Sequence, residues 1–217
     1  VLRSLPRALP RLLTLLLALL AGTRVTVGLA AWRAAERLEK PTYTLLRRLP
    51  NRVELRLYDP FLVAETAVPR PSAAESAKSP TSSTGTGFRS VAKYTFGGNR
   101  QKVKMAMTAP VITSSRGDET KVAFVMSSQY SKRTAPRPMD RSVQIRRVEG
   151  RLVAARKFSG GPPSEARVER ERQLIESTLD EAGIRPQRGG EEVLVSGYHD
   201  PFLTPNLLRK NEVALLV

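Results

Sequence analysis

Apolar and polar positions alternate along Val53, Glu54, Leu55, Arg56 and Leu57, the period-two pattern of a half-buried strand. Phe61–Val68 reads as a second strand, or as the first continued past Asp59-Pro60, and Tyr43–Leu49 is a short, partly apolar stretch ahead of both. Pro69–Gly87 is rich in Pro, Ser, Thr, Ala and Gly and holds no large apolar residue, so it is expected to be a flexible surface loop. Beyond it the period changes. Phe88, Val91, Ala92, Thr95 and Phe96 recur at i, i+3, i+4, i+7 and i+8, one face of a short helix, and Gly97-Gly98 stops it. Val103, Met105, Met107, Ala109 and Val111 then alternate as a strand that would place both methionines on one side, and Val122–Met126 is expected as another.

The same order returns further on. Val143–Val148 and Leu152–Phe158 read as strands joined by a turn at Glu149-Gly150, and Gly160-Gly161-Pro162-Pro163 breaks the chain. Ser164 is placed to cap a helix whose face carries Val168, Ile175, Leu179 and Ala182. Gly183 and Pro186 end that helix, and Glu192–Tyr198 and Glu212–Val217 supply the last strands. Strands, helix, two strands, twice over, predict an α+β fold. Two curved antiparallel sheets, each backed by a helix, would close into a distorted β-barrel with two pseudo-symmetric halves.

Residues 1–40 do not belong to that pattern. Arg3, Arg7 and Arg11 precede a leucine-rich run from Leu12 to Ala21, and a second apolar stretch, Val25 to Trp32, follows Arg24. A basic flank ahead of a short apolar run is the grammar of a signal peptide. Read through Arg24, Leu12 to Trp32 is just long enough for a membrane anchor. Both readings stand, with Gly28-Leu29-Ala30 a passable cleavage site and Ala34–Lys40 a linker. They predict a protein associated with a membrane or exported. The absence of acidic residues before Glu36 also suits a transit peptide to an organelle such as the chloroplast.

Composition removes several chemistries. With no cysteine there is no disulfide, thiolate metal site or thiol nucleophile, and one histidine, His199, leaves no multi-histidine metal site. The net charge is +16, but the basic residues are scattered, and the one dense cluster (Arg146, Arg147, Arg151, Arg156, Lys157) is interrupted by Glu149. A solvated basic surface is expected, rather than a nucleic-acid interface. No Gly-rich phosphate loop, nucleophile elbow or paired-carboxylate motif marks an enzyme.

Four segments stand out, in order: Val53-Glu54-Leu55-Arg56-Leu57-Tyr58-Asp59-Pro60; Phe88 through Val111, with Phe96-Gly97-Gly98-Asn99 and Met105-Ala106-Met107-Thr108-Ala109-Pro110-Val111; Phe158-Ser159-Gly160; and Gly197-Tyr198 through Pro201 with Arg209-Lys210-Asn211-Glu212-Val213. Together they resemble the SOUL heme-binding family. The resemblance covers residues 41–217. It implies a distorted barrel with two helices and non-covalent binding of heme or another tetrapyrrole in an apolar cleft beside the first helix. The protein would act as a reversible carrier or buffer and not as an enzyme.

On that resemblance Phe88, Val91 and Ala92 match the positions that face the tetrapyrrole, with Phe96 extending the face and Lys93 near a propionate. The same apolar residues equally suit a helix that simply packs on its sheet. The family's second cation falls near Thr204, which is uncharged, so Arg209 or Lys210 would have to substitute. The histidine that some relatives carry before the first-segment tyrosine is replaced by Leu57. His199 is then the one imidazole available as an iron ligand, set against the plainer reading of a solvated loop residue. Arg209, Asn211 and Glu212 are expected to stitch the last strand to the barrel. The alternative function is a membrane-tethered interaction or lipid-binding scaffold on the same fold with no heme role.

Overall fold

A computed structural model describes residues 23, 25–69, 82–186, 192–200 and 202–217, with residues 82–84 described in backbone only. The leucine-rich run expected as a signal or anchor therefore lies outside the described residues. Among those described, no helix is long and apolar enough to cross a membrane.

Nine strands form one antiparallel sheet curled into a half-barrel. They are β1 (Tyr43–Arg48), β2 (Val53–Tyr58), β3 (Phe61–Pro69), β4 (Val111–Arg116), β5 (Glu119–Val125), β6 (Val143–Val148), β7 (Arg151–Ser159), β8 (Val193–Gly197) and β9 (Lys210–Leu216). Their spatial order is β1-β2-β7-β9-β8-β4-β5-β3-β6. Three helices accompany them: α1 (residues 25–36), α2 (Ser82–Thr95) and α3 (Glu165–Glu181). The expected two halves are present. The run β6-β3-β5-β4 repeats as β2-β7-β9-β8, the two meet where Val111–Ser115 of β4 pairs with Val193–Gly197 of β8, and each half carries one helix on its outer face. Each half borrows its outermost strand from the chain segment just before the other, so β2 leads directly into β3 and β6 into β7.

Strand alternation separates three cores. Val122, Phe124 and Ala64 face α2; Val63, Ala123, Ile112, Val153 and Ala214 fill the concave interior; Val53, Leu55, Ala154, Val213 and Leu215 face α3. Ser164 caps α3 as expected, its side chain accepting from the Arg167 N–H, and Gly183 leaves the helix at φ +69°.

Three expectations change. First, the loop read over 69–87 is shorter: β3 runs through Pro69 and α2 begins at Ser82, while residues 70–81 lie outside the described set. The helix forms in spite of its glycines because Gly87 lets it approach the sheet closely; a Cβ there would sit 2.9 Å from Val68 Cγ1 and 3.1 Å from Val122 Cγ2. Second, the strand expected from Val103 starts only at Val111. Met105 is buried and Met107 exposed, so the two methionines do not share a side; the segment follows the end of α2 instead, with the Met105 N–H donating to the Thr95 carbonyl at 2.9 Å. Third, residues 34–40, read as a linker, pack on the barrel: Ala35 is buried and Glu39 Oε1 accepts from the Ser128 N–H at 2.6 Å.

Candidate functional site

The concave interior has little free space. Its cavity measures about 30 Å³, walled by Tyr58, Phe61, Ile112, Arg151, Val153, Leu194 and their neighbours, which is room for about one or two waters. Polar groups hold this interior together. Arg56 is fully buried, with Nη1 donating to Glu212 Oε2 at 2.6 Å and Nη2 to Glu54 Oε2 at 2.6 Å. Burial opposes the charge on Arg56, but Glu212 outweighs it and raises the guanidinium's pKa. Burial pushes Tyr58 up to about 12 and Tyr198 well above its usual value. Glu212 is thus the inter-strand stitch expected of it. Asn211 is another, its Nδ2 donating to the Gly160 carbonyl at 3.0 Å, and Arg209 Nε reaches the Thr204 carbonyl at 2.7 Å.

A flat ligand the size of a tetrapyrrole therefore needs an outer face, and α2 offers one. The stripe that looked continuous in sequence resolves into two. Gly87, Val91, Tyr94 and Thr95 turn into the sheet, Val91 completely, and Tyr94 Oη donates to the Pro136 carbonyl at 2.8 Å. Phe88, Ala92 and Phe96, at i, i+4 and i+8, form a second stripe beside it that stays open: Phe88 is 42% and Phe96 53% exposed, and Ala92 is half-buried. The Phe88 ring rests on Phe124, centroids 5.1 Å apart and planes tilted by 57°, which limits its freedom without covering it. Lys93 is exposed on the adjoining surface of the helix. Periodicity did not disclose Val103 and Met139, which extend the open apolar surface at the C-terminal end of α2. The Met139 N–H donates to the Gly98 carbonyl at 3.4 Å, and Phe96 bridges Lys104, so these residues are drawn to that end by backbone contacts.

His199 does not join this group. It follows β8 and lies under α1, with its side chain almost wholly covered. Its Nδ1 accepts from the Lys210 N–H at 3.1 Å. Its Nε2 lies 3.2 Å from Glu36 Oε1, close enough for charge attraction but poorly aligned as a hydrogen bond. Burial lowers the imidazole's pKa, and Glu36 works against that shift. The Lys210 ammonium, 2.6 Å from Glu36 Oε1, holds that carboxyl below its usual range. A chamber of about 170 Å³ adjoins this cluster, lined by Tyr43, Tyr58, Tyr198, Lys40, Lys157 and Lys210 among others. Thr204, at the position of the second family cation, is buried, and Lys210 is engaged with Glu36. Of the expected site residues, then, Phe88, Ala92, Phe96 and Lys93 share the open side of α2, Val91 is core, and His199 belongs to the α1 junction.

Comparison with known proteins agrees with this architecture. The family model described as SOUL heme-binding protein matches residues 38–216. No curated protein matches the sequence. Among solved structures, the chain is similar to the EcmrR C-terminal domain (TM-score 0.53, 9% identity, 80% of this chain and 96% of that one). It is also similar to an uncharacterized conserved protein from Listeria innocua (TM-score 0.51, 11% identity, 78% and 92%). A hydrolase from Listeria innocua aligns at TM-score 0.48 and 14% identity, over 75% of this chain and 90% of that one. At these identities the likeness to the first two is one of fold alone.

Proposed function

This chain belongs to the SOUL heme-binding protein family, and from that premise we propose that it binds heme or a related tetrapyrrole reversibly on the open side of α2, as a carrier or buffer. The observation that carries the reading is the half-exposed stripe Phe88, Ala92 and Phe96 beside Lys93. A tetrapyrrole, when bound, brings a broad flat apolar face and two carboxylates. The stripe supplies the matching apolar surface, Phe124 backs it, and Lys93 supplies a cation within the same helical turn. The chain's one histidine is committed to the α1 junction, so stacking and charge, rather than an imidazole, hold the ligand. That favours release over redox work. A carrier also suits the buried carboxylates. Glu65, Glu171 and Glu212 are each bound to an arginine, which gives them a structural role.

Titration of the purified chain with hemin, followed at the Soret band, tests this. Saturable one-to-one binding is expected, weakened about tenfold in Phe88→Ala/Phe96→Ala through loss of apolar contact and unchanged in His199→Ala. Unsaturable uptake that is indifferent to the two phenylalanines would assign the stripe to a protein or lipid partner instead.

A further inference from the structure

A second apolar surface lies away from α2, on α1 and the loop between β8 and β9. Phe202 is 89% exposed and Leu207 88%, the two most exposed large apolar side chains among the described residues. Neither is a loose tip. The Asp200 carboxylate accepts from the Phe202 and Leu203 N–H groups, each at 2.7 Å, and a short 3₁₀ turn, Asn206–Leu208, holds Leu207. The loop fixes these side chains in water at an unfavourable hydration free energy, which a compact loop of polar residues would avoid.

Helix α1 packs against this loop. Gly28 is the contact point: a Cβ on it would meet Pro205 Cδ at 2.8 Å and the Leu203 carbonyl oxygen at 3.3 Å. On the helix, Val25, Leu29 and Trp32 recur at i, i+4 and i+7, with Gly28 on the same side. Val25 and Leu29 are exposed and Trp32 is half-buried. Arg33 and Arg37 are exposed on the flank of that stripe. Apolar residues at a surface, a tryptophan among them and arginines alongside, are the composition of a helix lying at a lipid–water boundary. The sequence gives a reason to choose lipid over a protein partner. The chain reaches α1 directly from the run Leu12 to Ala21, preceded by Arg3, Arg7 and Arg11, and the whole molecule carries a net charge of +16. Helix α1, which follows this run in the chain, is the element that packs beside Phe202 and Leu207.

We propose that α1 and the 202–207 loop form a membrane-docking surface of the folded domain, which seats Phe202, Leu207, Val25 and Leu29 in the interfacial zone of an anionic bilayer. The surface acts in addition to whatever the N-terminal run does, and it sets the orientation in which the barrel meets the membrane. It is independent of the heme reading.

The chain has no cysteine, so a single introduced thiol carries a label without further changes. Leu207→Cys and, as a reference, Asp118→Cys are made in the full chain. Asp118 lies in the turn between β4 and β5, at the far end of the sheet along the strand direction, because Ser115 pairs with Val193 while Val111 pairs with Gly197 next to the loop. Each is labelled with an environment-sensitive fluorophore and added to phosphatidylcholine–phosphatidylglycerol vesicles carrying a lipid-borne quencher. Several-fold stronger quenching at 207 than at 118 is expected. Equal, weak quenching at both while the chain sediments with the vesicles would overturn the proposal and leave the N-terminal run as the only contact. Shielding of the 207 label from a water-soluble quencher before vesicles are added would also overturn it, since protein would then already cover the surface.

Discussion

Helix α3 buries Ile175 and Leu179 completely against β2, β7 and β9, whereas α2, in the equivalent place on β3, β5 and β6, keeps Phe88 and Phe96 in solvent. The difference continues in the charges. Glu171 is buried on α3, where it binds Arg156 of β7 and Arg167 one turn earlier, and Arg172 clamps Glu169 and Glu176 along the outer face. The Arg167 guanidinium also lies 4.9 Å over the Phe158 ring. Among the described residues, nothing comparable closes the outer side of α2. The two halves share strand order and connectivity, so topology does not set them apart. What does is how completely each helix is sealed onto its sheet.

The sharpest way to break this comparison is to truncate one apolar side chain to alanine on each half. Leu179→Ala is expected to lower unfolding free energy by about 3–4 kcal/mol, since the site is fully enclosed and collapses poorly. Phe96→Ala should change it by no more than about 0.5 kcal/mol, its ring being half in water already, while weakening hemin. Urea unfolding of the two variants reads the contrast, and equal losses would mean that α2 is as structural as α3. A smaller effect is expected from Glu171→Gln. Removing a buried carboxylate from between two arginines costs about 2 kcal/mol, less than a fully enclosed pair because Arg167 is substantially exposed. Hemin affinity should be unchanged, which separates the sealed half from the open one. The smallest effect belongs to Lys93→Glu. It should leave stability alone and weaken hemin only a few-fold, by about 0.5–1 kcal/mol, with the difference fading in high salt as screening removes it.

What the sequence alone determined was local or periodic. Alternation placed β2, and short apolar runs bounded by turn residues placed β3 and β5 to β9, to within a few residues, because both are local signals. The cap at Ser164 and the stop at Gly183 bounded α3, because those signals act within one turn. The repeated element order disclosed the two halves, and the open stripe on α2 was legible as a set of residues. Only tertiary structure divided that set, since whether Val91 or Phe96 is covered depends on where Phe124 and the segment around Met105 come to lie. It also started α2 at Ser82, where composition indicated a loop, because the close approach at Gly87 is set by Val68, Thr66 and Val122 across the sheet. And it set His199 apart from the open side of α2 by tying it to Glu36 and Lys210, two residues separated by 174 positions in the chain. Such contacts leave no periodic trace, because they are fixed by the curl of the sheet and not by the spacing of residues along it.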